Sequence, residues 1–120
     1  FLDTFNCNAH TTTSDALWTG LPVVTKLGEG FAARVAGSLL TAIDLPELIT
    51  ENEEEYEALA LTLATDPKRL GQVKSKLDGN RLTQPLFDSE MYTRHLEAGY
   101  HMAYDQYFNE QERSDIVVPK

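Results

Sequence analysis

Asn8-Ala9-His10-Thr11-Thr12-Thr13-Ser14-Asp15-Ala16-Leu17-Trp18, running on to Gly20-Leu21-Pro22, is a hydroxyl-rich polar loop that turns directly into a helix. Thr12 and Asp15 have the spacing of a capping box with Asp in place of Glu. The stretch predicts a short helix over Asp15 to Thr19, with Gly20 as its left-handed stop. A helix start directs its free N–H groups and the positive end of its dipole at whatever lies in front of it. That makes the loop a seat for a phosphate.

The flanks place this loop in an α/β frame. Phe1 to Phe5 reads as the tail of a short buried strand, and Val23-Val24-Thr25, after Pro22, reads as a strand buried on both faces. Strand, loop, helix and strand make a βαβ unit, whose ligands sit at the carboxyl ends of the strands. Gly28-Glu29-Gly30 is the next strand-to-helix turn on the same edge. A second helix is expected over Phe31 to Ile43, with Phe31, Val35, Leu39 and Ala42 as its buried stripe. Further on, Thr50 and Glu53 read as another capping box, opening a helix that buries Tyr56, Leu59, Ala60 and Leu63. Asp66-Pro67 is an N-cap followed by Pro at the first helical position. The helix it opens carries Leu70, Val73, Lys74 and Leu77 and ends near Gly79. A last, long helix is expected over Ser89 to Phe108, with Tyr92, Leu96, Tyr100, Ala103 and Tyr107 on one face. Residues 1–108 form the domain, and 109–120 a polar tail. Two strands bury too little for this many helices, so more sheet is expected upstream.

Composition narrows the partners. Of 120 residues, 19 are acidic and 10 basic, for a formal net charge of −9. That balance argues against nucleic acid, whose phosphates need clustered Lys and Arg, and against an anionic membrane surface. A single phosphate held by backbone N–H groups is compatible with an acidic protein. No run approaches the roughly 18 apolar residues of a membrane span. The lone Cys7 fits a reducing, cytoplasmic setting and reads as a small buried residue. The chain opens on Phe1-Leu2-Asp3-Thr4 with neither Met nor a basic leader, which suggests that it was cut from something longer.

With these residues in view, a resemblance can be stated. Leu2-Asp3-Thr4, Asn8-Ala9-His10-Thr11-Thr12 and Asp15-Ala16-Leu17-Trp18-Thr19-Gly20-Leu21-Pro22-Val23-Val24-Thr25 resemble the C-terminal catalytic region of O-GlcNAc transferases. Gly28-Glu29, Phe31-Ala32, Arg34-Val35 and Pro85-Leu86-Phe87 with Tyr92 extend the likeness to about Phe108. The resemblance implies a GT-B glycosyltransferase, with this chain as the C-terminal half of its Rossmann-like donor-binding domain. It implies that His10, Thr11 and Thr12 hold the diphosphate of UDP-GlcNAc and that Asp15 holds the ribose. It further implies inverting transfer of N-acetylglucosamine to Ser or Thr of proteins, with no metal and no cofactor. The acceptor face, a further positive charge and the general base would come from upstream regions. Gly30 stands where the family usually has Thr, and Ala33 where it has Ser.

Two other readings stay open at this stage. One keeps the fold but changes the nucleotide-sugar or uses an Asn acceptor. The other is a non-catalytic helical interaction module. Thr11, Thr12 and Asp15 have a simple alternative role in capping, and His10 one as an ordinary loop residue. Glu29 and Arg34 read as local structure, Trp18 as packing on the sheet, and the Tyr92–Tyr100–Tyr107 stripe as core, or, since the resemblance implies a last helix that crosses back to the first domain, in part as an interdomain surface. His95 and His101 lack a metal-ligand partner at suitable spacing.

Overall fold

The computed structural model describes residues 1–119 and divides them into two compact units, Phe1–Phe87 and the segment from Asp88 onward. The first unit holds the sheet. Strand β1 (Thr25–Lys26) pairs in parallel with β2 (Ile49–Thr50), with Thr25 opposite Ile49. On the other side of β1, Leu2 forms a parallel bridge to Val24. The first strand is thus a single bridge, and Phe1 and Leu2 are exposed while Asp3 is buried. Hydrogen bonds from Val24 N–H to Phe1 O and from Asp3 N–H to Val24 O fix its register.

Helix α1 spans Thr11–Trp18, four residues earlier than expected. The Thr12–Asp15 capping box therefore does not form: both residues lie inside the helix, and its N-cap is His10, with no side-chain cap. The C-terminal prediction holds. Gly20, at φ +83, donates to Leu17 O and Leu21 donates to Ala16 O, the two bonds of a Schellman motif.

Helix α2 (Val35–Ala42) follows a 3₁₀ turn over Phe31–Ala33, so the expected single helix is broken at Arg34. Its buried face is Ala36, Gly37 and Leu40, continued by Ile43, rather than the Phe31/Val35/Leu39/Ala42 stripe. That stripe lines an open cavity of about 820 Å³ with Leu27 and Ile49, and Phe31 is 82% exposed. Both faces of α2 are apolar, and the one with the smaller residues packs inward; Gly37 sits against Leu27, where a Cβ would meet its Cδ2. A second Schellman motif ends the helix, with Asp44 left-handed at φ 56 and Leu45 donating to Leu40 O. Asn80 Nδ2 clamps this end by donating to Ile43 O and Asp44 O.

Helices α3 (Glu53–Thr65) and α4 (Pro67–Asn80) complete the first unit. The cap of α3 is Asn52, two residues later than expected. Its side chain accepts from Glu55 N–H, while Glu55 reaches back to Glu51 N–H. This is a capping arrangement in a frame shifted from Thr50/Glu53. Asp66 caps α4 as predicted, accepting from both Lys68 and Arg69 N–H at 3.0 Å. Helix α4 runs through Gly79. The core joins Leu17, Val23, Val24, Leu40, Ile43, Leu45, Leu48, Leu63, Val73 and Leu77. Trp18 is half exposed; rather than packing on the sheet, its ring meets Phe87 edge-on at 5.1 Å, and its carbonyl accepts from Arg81.

The second unit is helix α5 (Ser89–Phe108), capped by Asp88, and the tail beyond it. Among the described residues none here is buried, so the tyrosine stripe is not core: Tyr92, Tyr100 and Tyr107 are all exposed. A left-handed Glu110 turns the tail, and Gln106 donates to Ser114 Oγ at 3.1 Å. Among the described residues no helix is long and apolar enough to cross a membrane.

Candidate functional site

The candidate site is the carboxyl edge of the parallel sheet, where the loop 4–10 delivers the chain into α1. His10, Thr11, Thr12 and Asp15 are all exposed there. Ser14 donates to His10 O at 3.2 Å, the first backbone bond of the helix. The N–H groups of Thr11, Thr12 and Thr13 therefore precede the first helical acceptor, and no side chain caps them. Those of the exposed Thr11 and Thr12 present partial positive charge at the ligand edge, while Thr13 is buried. Thr11 and Asp15 lie one helical turn apart on the same face. Among the described residues the Asp15 carboxylate makes no hydrogen bond or ion pair.

The second expected turn is brought alongside. Asn8 N–H donates to Ala32 O at 2.8 Å, and His10 Nε2 lies 3.4 Å from the same oxygen. The His10 and Phe31 rings meet edge-on at 6.2 Å. Gly28 is packed so closely on Ala33 that a Cβ there would lie 2.5 Å from the Ala33 Cβ. Ala33 faces the turn's own backbone, and Gly30 has open space where a side chain would project. Arg34 closes the turn by donating to Gly28 O at 3.0 Å, while Glu29 is exposed. Cys7 is exposed in the loop, not buried as its residue type suggested.

Two residues whose types suit an ordinary strand end and turn, Asp3 and Asn8, hold the loop together. Asp3 Oδ1 accepts from Ala9 N–H at 2.7 Å, and Oδ2 accepts from the Thr25 hydroxyl at 2.6 Å. Asn8 Oδ1 accepts from Ala36 N–H at 3.3 Å, which gives α2 a cap from outside its own segment. Tyr56 donates its hydroxyl to Asp3 O at 2.9 Å and stacks edge-on against Phe5. Burial, and then the Asp3 carboxylate, hold the Tyr56 phenol above its ordinary pKa. A buried Asp placed just beyond an apolar strand residue was the available signal for this brace.

This geometry can be set beside known proteins. Residues 1–96 match glycosyl transferase family 41. The chain belongs to that family. It is 43% identical over 96 residues to a Caenorhabditis elegans protein named UDP-N-acetylglucosamine--peptide N-acetylglucosaminyltransferase, covering 80% of this chain and 8% of the relative. An Arabidopsis thaliana protein named "Probable UDP-N-acetylglucosamine--peptide N-acetylglucosaminyltransferase SEC" is 40% identical over 118 residues, 98% of this chain and 12% of its own length. The family 41 chain thus spans about a tenth of these relatives. Among solved structures, an O-GlcNAc transferase mutant from Thermobaculum terrenum superposes with a TM-score of 0.80 at 35% identity, covering 86% of this chain and 20% of that one. The fold is accordingly the C-terminal half of a GT-B, Rossmann-like domain, with few parallel strands followed by helices.

One buried group stands out in the first turn of α1. Thr13 is 0% exposed, and among the described residues its Oγ1 has no hydrogen-bond partner. A buried hydroxyl without a partner costs on the order of 1–3 kcal/mol. Thr13→Val keeps the β-branched shape and removes that hydroxyl. We predict a gain of about 1 kcal/mol, read as a melting temperature higher by about 4 °C or more. A lower melting temperature would show that the hydroxyl is satisfied.

Proposed function

We propose that this chain is the donor-binding part of a protein O-GlcNAc transferase, acting within a longer enzyme. The observation that carries the reading is the uncapped start of α1 at the carboxyl edge of a parallel sheet in a family 41 chain. In this reading the N–H groups of Thr11 and Thr12, with His10 beside them, take the diphosphate of UDP-GlcNAc. Asp15 accepts from the two ribose hydroxyls. The acceptor hydroxyl oxygen of a protein Ser or Thr attacks the anomeric carbon as a general base elsewhere in the enzyme takes its proton, the bond from that carbon to the diphosphate oxygen breaks, and UDP leaves with the electron pair. Stabilising the negative charge that builds on the leaving group is the main task left to the protein here. The first turn of α1 meets part of it; the general base, the acceptor surface and further positive charge belong to other parts of the enzyme. The donor-binding part lies within residues 1–108, with 109–120 as a polar tail. Action in the cytoplasm completes the reading, supported by the free, exposed thiol of Cys7.

Titrating the full-length transferase with UDP and with GDP by calorimetry tests the reading. UDP binds and GDP does not, and the enzyme turns over UDP-GlcNAc onto a Ser/Thr peptide. The 120-residue chain alone shows no turnover. Preference for GDP, or turnover by the isolated chain, would refute the assignment.

A further inference from the structure

We propose that Asp3 is a positioning residue for the donor site: its buried carboxylate fixes the loop that aims His10 and the first turn of α1. The inference rests on the donor-site reading above and assigns a role to a residue that touches no ligand. Every polar group of Asp3 is engaged. Its N–H donates to Val24 O at 3.0 Å and its carbonyl accepts from Tyr56, so its backbone is pinned to the sheet and to α3. Its two carboxylate oxygens then divide their work. Oδ2 takes the Thr25 hydroxyl on β1, and Oδ1 takes the N–H of Ala9. Ala9 immediately precedes His10, the N-cap of α1. The Oδ1 bond therefore sets where the chain leaves the loop and enters the helix.

The other hydrogen-bond restraints on the loop run within it or to α2 and the turn before it, not to the sheet: Asn8 Nδ2 donates to Thr4 O at 2.8 Å, and the Thr4 hydroxyl donates to Cys7 O. Asn6, Cys7 and His10 are exposed, and Phe5, which packs on Tyr56, anchors only the near end. Asn8 ties the loop sideways to Ala32 and Ala36. Only Asp3 links the far end back to the sheet through a side chain, among the described residues. Asp3 is 4% exposed, and both carboxylate oxygens accept hydrogen bonds there. Geometry of a binding turn held by a buried, doubly accepting carboxylate is what a preorganised site requires.

The test compares Asp3→Ala and Asp3→Asn in the full-length transferase. For Asp3→Ala, the Kd for UDP and the KM for the nucleotide-sugar rise tenfold or more, while the KM for the acceptor peptide stays within twofold. Asp3→Asn returns both donor constants to within about threefold of the parent, because its amide oxygen still accepts from Ala9 and its nitrogen turns to the Thr25 hydroxyl. If Asp3→Ala does not fold, Ala9→Pro removes the same bond from the other side and carries the same expectation. Unchanged donor constants, an equal loss for donor and acceptor, or no rescue by Asn would overturn the proposal. His10→Ala runs in parallel. If it weakens UDP and Asp3→Ala does not, the positioning role fails; if neither moves UDP, the donor-site reading itself fails.

Discussion

Asp15→Ala in the full-length transferase is expected to weaken UDP by about ten- to a hundredfold while leaving the melting temperature unchanged or slightly higher. The affinity loss follows from the work assigned to the carboxylate. A hydrogen bond to a charged group contributes about 1.5–3 kcal/mol, so losing the net worth of one such bond to the ribose diol weakens binding roughly ten- to a hundredfold. The stability side follows from the structure. Asp15 is exposed, makes no capping bond and lies inside α1, where Ala is the better helix former by a few tenths of a kcal/mol or more. The sign of the effect separates the two roles. A carboxylate one turn from a bound diphosphate repels it, so an Asp15 without the diol would be a burden on binding. Its removal would then tighten UDP. Calorimetric titration of the variant decides between loss and gain.

The second large effect lies in the core. Leu40→Ala is expected to destabilise the chain by about 3 kcal/mol, within the roughly 2–5 kcal/mol range of buried leucine truncations. Leu40 is completely buried in the cluster with Leu17, Val23 and Leu77. Against a total of roughly 5–15 kcal/mol, such a loss lowers the melting temperature by more than about 10 °C. Leu39→Ala, one residue away, is expected to cost less than about 1 kcal/mol, since Leu39 is only partly buried and lines the open cavity. Thermal unfolding of the pair reports directly which face of α2 points inward. Equal losses would contradict the packing described.

That contrast shows where sequence reading reached and where it stopped. Helix starts written in one strong local signal were legible: Asp66-Pro67 opens α4, and α5 spans Ser89–Phe108 as its pattern predicts. Starts offering two overlapping frames were not. Thr50/Glu53 and Asn52/Glu55 both fit a capping box, and the structure uses the second. At α1 the Thr12–Asp15 spacing was an accident of composition, since helical geometry already begins at Thr11. For α2, periodicity cannot choose between two apolar faces of one helix; the distant cluster that Leu40 joins, with Leu17, Val23 and Leu77, does. The α5 tyrosines followed helical spacing and still remained exposed, because spacing identifies a face and not what covers it. At the candidate site, the polar loop and the helix start it feeds were legible because they adjoin in sequence, while the roles of His10, Thr11, Thr12 and Asp15 rest on the resemblance. Asp3 and Asn8 were not legible, because their decisive partners, Thr25 and Ala36, lie far along the chain.

The cap that Asn8 supplies to Ala36 has a thermodynamic corollary. A helix normally carries its own first-turn acceptor, so its end frays independently of its surroundings. Here the acceptor belongs to a different loop, and the same residue donates its backbone N–H to Ala32. Releasing the loop thus exposes the start of α2, and loosening α2 strips the loop of its tether. These shared bonds couple the opening of the two segments, so that order gained by one favours order in the other.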